Sequence, residues 1–264
     1  MTQGIECLNR HASNRSGART DFLYGNILEQ KRYSFVLNRV QNLNVLECAS
    51  GVGWGSYLIA RAGARRVVGV ELSESAVSSA IKYYSADNVT YINASLAEAD
   101  LPEASFDVVV SFETLEHVEN PGGFLTKLRE LARLDAAMFL STPNGHAFKN
   151  DGERPANPYH LEEYTRDEVI GMCRQAGWKV VEYRGQYPMP RGSDQILAYR
   201  RFIKAYWTHQ RRARSLGIPY LLVTLAARRI GRGLSEPAFT CSCDPVPVGP
   251  NEEPAYHYLI LSAA

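Results

Sequence analysis

The sequence predicts an α/β domain built on a mostly parallel, doubly wound sheet of seven strands, and three observations carry that prediction. Short apolar runs such as VVGVE, VTYINA and FDVVVSF alternate along the chain with segments of helical period. The run ending at Val45 and Leu46 passes directly into an acid, Glu47, and a turn through Ala49, Gly51, Gly53 and Gly55 before SYLIARAG becomes helix. A second acid, Glu71, closes the next apolar run 18 residues beyond Gly53. A side-chain-free turn lets a ligand approach the backbone, and the helix after it offers free N–H groups. An acid at the tip of the neighbouring strand can accept both hydroxyls of a ribose. Two acids therefore face one ligand.

The bulk numbers bound the class. At 264 residues with 45% hydrophobic content, the chain can bury a sizeable core as one large domain or a domain with an insertion. No apolar run approaches the roughly 20 residues of a membrane span, and the opening MTQGIECLNRHASNRSG lacks the apolar core of a signal peptide. A soluble, cytoplasmic protein is expected. The five cysteines, Cys7, Cys48, Cys173, Cys241 and Cys243, are odd in number and scattered, which suggests neither a disulfide framework nor a zinc site. Net charge is +1, but residues 191–232 hold ten Lys or Arg against one acid, Asp194, so that segment carries about +9 and the rest about −8.

The elements follow in order. Residues 1–20 are polar and glycine-containing and read as a tail. Helical periodicity over 21–38 sets Leu28, Tyr33 and Val36 among its apolar positions. Strand, helix and strand run through Leu46, 58–64 and 67–70. SESAVSSAIKYYS is a helix with Ser73 as its N-cap and Ser75 as the alternative. VTYINA is the third strand, and Phe106 and Asp107 open the fourth. LTKLRELARLDAAMFLSTPNG supplies a helix and the fifth strand, stopped by a Pro-Asn-Gly turn. A helix opens at Thr165 with Asp167 and Glu168 in its first turn. KVVEYRGQ is the sixth strand and AYHYLILSA the seventh, an antiparallel pair. The core thus spans 41–186, a basic helical insertion or lid 187–253, and the terminal strand 254–264.

The acid in front of the turn narrows the ligand. Glu47 would repel the pyrophosphate of a dinucleotide, whereas S-adenosylmethionine brings an ammonium and a sulfonium there. With its acid-x-Gly-x-Gly-x-Gly pattern, in which Ala49 stands for the first glycine, the sequence resembles the class I S-adenosylmethionine-dependent methyltransferases. The resemblance runs from about residue 29 to 186 and rejoins near 255, and it points to the type 11, ubiquinone-biosynthesis-like branch. It implies a Rossmann-like sheet with helices on both faces, an antiparallel last strand, and S-adenosylmethionine as cofactor, leaving as S-adenosylhomocysteine. It also implies that residues 1–40 form a helical cap over the cofactor. It implies cofactor contact by Arg32, Glu47, Ala49, Gly51, Gly53, Trp54, Glu71, Leu72, Ser95, Leu96 and Phe112. Within EQKRYSF, Arg32 either takes the cofactor carboxylate through a two-pronged contact or is a surface arginine. Leu72 either touches adenine or is an ordinary core leucine. Many relatives carry an aspartate where Ser95 stands, so adenine contact here falls to backbone and Leu96.

SFETLEHV follows the fourth strand, and Glu113, Glu116 and His117 stand at i, i+3 and i+4, on one face if a helical turn follows. Two chemistries compete. His117 or Glu113 takes the proton from an acceptor hydroxyl while the methyl moves in line, or the set holds a hard divalent ion such as Mg²⁺. Glu-x-x-Glu-His is similar to a metal-binding pattern in ubiquinone-biosynthesis O-methyltransferases and in small-RNA 2′-O-methyltransferases. A further histidine joins it in the RNA enzymes, and His160 in NPYHLEEYT is at a comparable place. The resulting metal set would be Glu113, Glu116, His117 and His160; the metal-free set has His117, Glu113 and His160 as catalytic residues. The bland reading has Glu113 and His117 fix the loop by hydrogen bonds, and His160 act as a cap or core partner. Tyr159 is a further pocket residue, and His146 a lower-ranked one.

In the insertion, Tyr199, Phe202, Ile203, Tyr206 and Trp207 form an aromatic helical stripe, and a second helix starts at Pro219. This segment is expected to be a lid or a homodimer element whose arginines attract an anionic or phosphorylated small molecule. No nucleic-acid motif accompanies the charge. The expected function is transfer of a methyl group to a hydroxyl of a small, sugar-like or secondary-metabolite acceptor. The alternatives are a small-molecule amine, a metal-dependent RNA 2′-O-methyltransferase and a non-catalytic cofactor-binding partner subunit.

Overall fold

The computed structural model describes residues 20–145, 155, 157, 159–186, 246–247 and 257–263. The aromatic stripe, the basic segment, His146 and the helix expected at Pro219 lie outside the described residues.

A helix α1 (Thr20–Leu37) precedes the sheet. The strands are β1 (Asn44–Cys48), β2 (Arg66–Glu71), β3 (Val89–Asn93), β4 (Phe106–Phe112), β5 (Ala132–Pro143), β6 (Lys179–Gln186), β7 (Val246–Pro247) and β8 (His257–Ala263). Helices α2 (Trp54–Arg61), α3 (Glu74–Tyr83), α4 (Pro121–Leu131) and α5 (Arg166–Gln175) connect them. The sheet order is β3-β2-β1-β4-β5-β8-β6-β7. From β3 to β5 neighbours are parallel, while β8 lies antiparallel between β5 and β6. The seven expected strands are all present. β7 is an additional two-residue edge piece on β6 within the stretch read as a helical insertion, too short for any periodic signal.

The central strands β1, β2, β4 and most of β5 are buried on both faces, which their continuous apolar runs require. Neighbouring residues divide between two cores: Val45, Val67, Val108 and Phe139 pack with Tyr33, Val36, Leu58 and Ile59 on one face. Leu46, Val68, Val109 and Met138 pack with Leu125, Leu128, Cys173 and Trp178 on the other. Trp178 fits there because its indole N–H donates to the Leu125 carbonyl at 3.1 Å.

Helix starts are set locally. Ser73, not Ser75, caps α3 by accepting from the Ala76 N–H. Asn120 caps α4 ahead of Pro121, and Thr165 forms a reciprocal capping box with Glu168 at α5. The strand order reverses between β1 and β4, so the carboxyl ends of those two strands flank a crevice, where open α/β sheets take their ligands.

Candidate active site

The turn after β1 occupies that crevice. Ala49, Gly51 and Gly53 have φ of 61°, 54° and 83°, the left-handed region. A glycine pattern belongs here for conformational reasons, and Ala49 accepts the same backbone at the cost a Cβ brings. The glycines differ in what surrounds them. A Cβ on Gly51 would meet open space, one on Gly53 would meet Ala80 and Tyr91, and one on Gly55 would overlap the Tyr33 ring. Gly51 therefore faces the crevice, while Gly53 and Gly55 allow close packing. Gly53 also starts α2 without a side-chain cap, and the first turn of α2 holds no acid. That leaves a helix N-terminus suited to an anionic group.

Glu47 is 2% exposed and accepts hydrogen bonds from the Tyr33 and Ser56 hydroxyls. Burial pushes its carboxyl up to about 7 despite both donors. Glu71, at the end of β2, accepts from the backbone of Gly51 at 2.9 Å and of Ser73 at 2.9 Å, which ties the turn to the next strand. Leu72 beside it is 72% exposed, so it is not a core leucine. Leu96 is a core residue, packed in the cluster with Val68 and Val70, and Ser95 bonds Glu98 at 2.7 Å. Trp54 and Phe112 both stack edge-on against Tyr33, at 5.2 and 5.1 Å.

Arg32 is not a surface arginine. It is buried, and its Nη1 donates to Gln186 Oε1 at 3.1 Å and pairs with Glu113 Oε1 at 3.3 Å. Gln186, at the end of β6, in turn donates to the Leu28 carbonyl, so α1 is fastened over the ends of β4 and β6.

The expected single helical face for Glu113, Glu116 and His117 does not form. Glu113 has φ 53°, its N–H donates to the Ser141 carbonyl, and its carboxylate accepts from Ser141 Oγ at 2.8 Å. Only residues Leu115–His117 make a turn, and it is a 3₁₀ turn. The left-handed residue between strand and turn sends Glu113 toward Arg32, away from the other two. Glu116 is 1% exposed and accepts from Thr142 Oγ1 at 3.0 Å. Burial, reinforced by Glu113, raises its carboxyl pKa well above the ordinary value.

His117 is half-exposed. Its Nδ1–H donates to the Tyr159 carbonyl at 2.8 Å, which leaves the lone pair of the neutral ring on Nε2, 4.0 Å from Glu116 Oε1. Burial lowers its pKa, more than the hydrogen bond to Tyr159 raises it. The rings of His117 and His160 meet edge to face at 4.9 Å. His160 gives Nδ1–H to buried Glu163 at 2.7 Å, and its Nε2 accepts from Asn157 Nδ2 at 2.8 Å. The peptide N–H groups of Leu161 and Glu162 dock this segment on the Glu116 carbonyl.

Glu116, His117 and His160 each bring a ligating atom within 4.8 Å of the others. The arrangement nevertheless does not fit the four-residue metal set. Both nitrogens of His160 are committed, to Glu163 and Asn157, and Glu113 is held by Arg32 and Ser141. Among the described residues, two of the candidate ligand atoms have no side-chain hydrogen-bond partner, Glu116 Oε1 and His117 Nε2. Asn157, Glu163, Ser56 and Gln186 were not anticipated as site residues. Their partners are reached through the fold or through a loop with no repeating pattern, and only the polar run around His160 hinted at two of them.

A glycine turn at the switch point, with one acid on each of two adjacent strands, is the arrangement in which open α/β sheets take a nucleoside-bearing ligand. The methyltransferase-domain family profile matches residues 19–183, more than half of the chain, and the chain belongs to that family. Among curated relatives, a "Probable S-adenosylmethionine-dependent methyltransferase" of Mycobacterium tuberculosis is 35% identical over 162 residues, 61% of this chain and 58% of that protein. A ubiquinone biosynthesis O-methyltransferase of Neisseria meningitidis is 31% identical over 164 residues, 53% of this chain and 66% of that protein. The chain thus spans about three fifths of the length of the first of these. In fold it is similar to an S-adenosylmethionine-dependent methyltransferase from Mesorhizobium loti, with TM-score 0.56 and 17% identity over 90% of this chain and 98% of that one. It is also similar to the [4+2]-cyclase SpnF, with TM-score 0.60 and 14% identity over 88% of this chain and 80% of that one. Among the described residues no helix is long and apolar enough to cross a membrane.

Proposed function

We propose that this chain transfers a methyl group from S-adenosylmethionine to a hydroxyl of a small molecule, with His117 as the general base. The observation that carries the reading is the hydrogen bond from His117 Nδ1 to the Tyr159 carbonyl, which leaves an unprotonated Nε2 on a half-exposed ring. Burial depresses its pKa, so the ring is neutral at pH 7 and able to take a proton.

Bound S-adenosylmethionine supplies an activated methyl on a sulfonium. The residues around the turn suit the rest of that molecule. Glu47 complements its ammonium, Glu71 its ribose hydroxyls, the uncapped start of α2 its carboxylate, and exposed Leu72 its adenine. Gly51 leaves room for close approach. Nε2 of His117 accepts the acceptor's hydroxyl proton as the oxygen forms its bond to the methyl carbon and the carbon–sulfur bond breaks, so charge and atoms balance within one step. Glu116 Oε1 stands 4.0 Å from Nε2, on the side where the imidazolium proton forms. The ubiquinone biosynthesis relatives, named as O-methyltransferases, support oxygen over nitrogen as the acceptor atom.

The test is transfer of labelled methyl from S-adenosylmethionine into fractionated cell extract, split into small molecules and RNA, with and without a chelator. Label in the small-molecule fraction that survives chelation is the expected result. Label confined to RNA and abolished by chelation would replace this reading with metal-dependent RNA methylation.

A further inference from the structure

His117 is held from behind by one short segment, and the hydrogen bonds linking Glu163, His160, Asn157 and Tyr159 to it point the same way. Glu163 is 2% exposed and takes the His160 Nδ1–H at 2.7 Å. With that proton on Nδ1, Nε2 of neutral His160 carries a lone pair, which accepts Asn157 Nδ2–H at 2.8 Å. The Asn157 amide is itself oriented, because its Oδ1 accepts the Tyr159 N–H at 3.0 Å and leaves Nδ2 as the end facing His160. Tyr159 then presents its carbonyl to His117 Nδ1 at 2.8 Å. A carbonyl can only accept, so the proton sits on Nδ1 and Nε2 stays bare. Reversing the His160 tautomer would set N–H against N–H at Asn157 and deprive a buried carboxyl group of its donor.

We propose that Asn157, backed by Glu163 through His160, is a positioning residue that fixes the tautomer in which His117 offers Nε2 to the acceptor. The function of that lone pair rests on reading His117 as the base, but the tautomer itself is observable without any acceptor. The same amide hydrogen occupies the one lone pair His160 has left, so Asn157 also decides that His160 serves as a brace and not as a cation ligand.

A plainer role exists for Asn157, since its bond to the Tyr159 N–H is an Asx turn that would shape the loop in any case. Substitution separates the two. Asn157→Asp keeps the accepting oxygen and so the turn, but puts an acceptor where Nδ2 donates. Asn157→Ala removes both. The experiment is long-range proton–nitrogen correlation of the histidine rings in protein labelled with nitrogen-15 histidine, saturated with S-adenosylhomocysteine near neutral pH. His117 and His160 signals are assigned by His117→Ala and His160→Ala.

In the unsubstituted protein, both rings are expected to show a protonated Nδ1 and an unprotonated Nε2. Asn157→Asp should leave the His117 pattern in place while His160 loses its unprotonated Nε2 resonance and becomes protonated on both nitrogens. Asn157→Ala should make His117 a mixture of tautomers. An Nε2-protonated His117 in the unsubstituted protein, or a His160 unchanged by Asn157→Asp, overturns the proposal. So does a folded Asn157→Ala protein whose His117 stays wholly on Nδ1–H. Should Asn157→Ala not fold, the Asn157→Asp spectrum alone decides. Loss of activity in His117→Ala speaks to the base and leaves this tautomer result standing, so the two readings fail separately.

Discussion

Glu47 carries opposing demands: it is buried among hydroxyl donors, yet it fronts the glycine turn proposed to receive the cofactor. Its carboxyl is pushed from about 4.5 to about 7, so the folded state favours the protonated form. Stability from this group is therefore complete below the unfolded value and is lost as pH rises through about 7, by on the order of 3 kcal/mol. Glu47→Gln should raise the melting temperature of the cofactor-free protein at pH 8 and flatten its pH dependence between 5 and 8. It should also weaken S-adenosylhomocysteine binding by removing the ammonium's partner. A lower melting temperature with unchanged affinity by calorimetry would contradict this account of Glu47. For His117, alanine should leave S-adenosylhomocysteine affinity within about twofold and reduce labelled-methyl transfer roughly 100-fold or more; near-normal transfer would remove the base assignment. The places of Glu47, Gly51, Glu71 and His117 in the fold were legible because each has a strand end or a turn beside it in sequence. Asn157 and Glu163 were not, since what identifies them is the direction of hydrogen bonds around His160 and the placement of that loop against His117.

At the scale of elements, the glycine turn separates ligand contact from packing. A Cβ at Gly51 points into open space at φ 54°, whereas one at Gly55 lands on the Tyr33 ring that holds Glu47. Gly51→Ala should cost about 1–2 kcal/mol of backbone strain and lower S-adenosylhomocysteine affinity at least tenfold. Gly55→Ala should cost roughly 1–3 kcal/mol by overpacking, read as a drop in melting temperature. The reverse pattern, with binding lost only through Gly55 and stability only through Gly51, would mean the crevice opens elsewhere. Helix starts at Ser73 and Thr165 were readable because capping is a local contact between residues three apart. The face shared by Glu113, Glu116 and His117 was misread for the opposite reason. Spacing counts only if the segment is helical from its first residue, and Ser141 on β5 holds Glu113 in a left-handed conformation that breaks the count.

For the whole molecule, continuous apolar runs alternating along the chain with helical segments made the sheet and its parallel order legible, and successive residues of β1, β2 and β4 go to opposite cores. The order reversal between β1 and β4 then brings the glycine turn and the 3₁₀ turn of His117 to the same edge. β7 escaped because a two-residue strand leaves no periodic trace. The fold shared with a [4+2]-cyclase shows that such a scaffold does not dictate one reaction, so the assignment stands on the site. The most direct test of the central claim is a crystal structure of the chain with S-adenosylhomocysteine in chelated buffer. The account predicts the ribose hydroxyls on Glu71, the ammonium toward Glu47, and the sulfur facing His117 Nε2 across a space the size of an acceptor hydroxyl. A sulfur turned away from His117, or a nucleoside bound off the Gly51 turn, would contradict it.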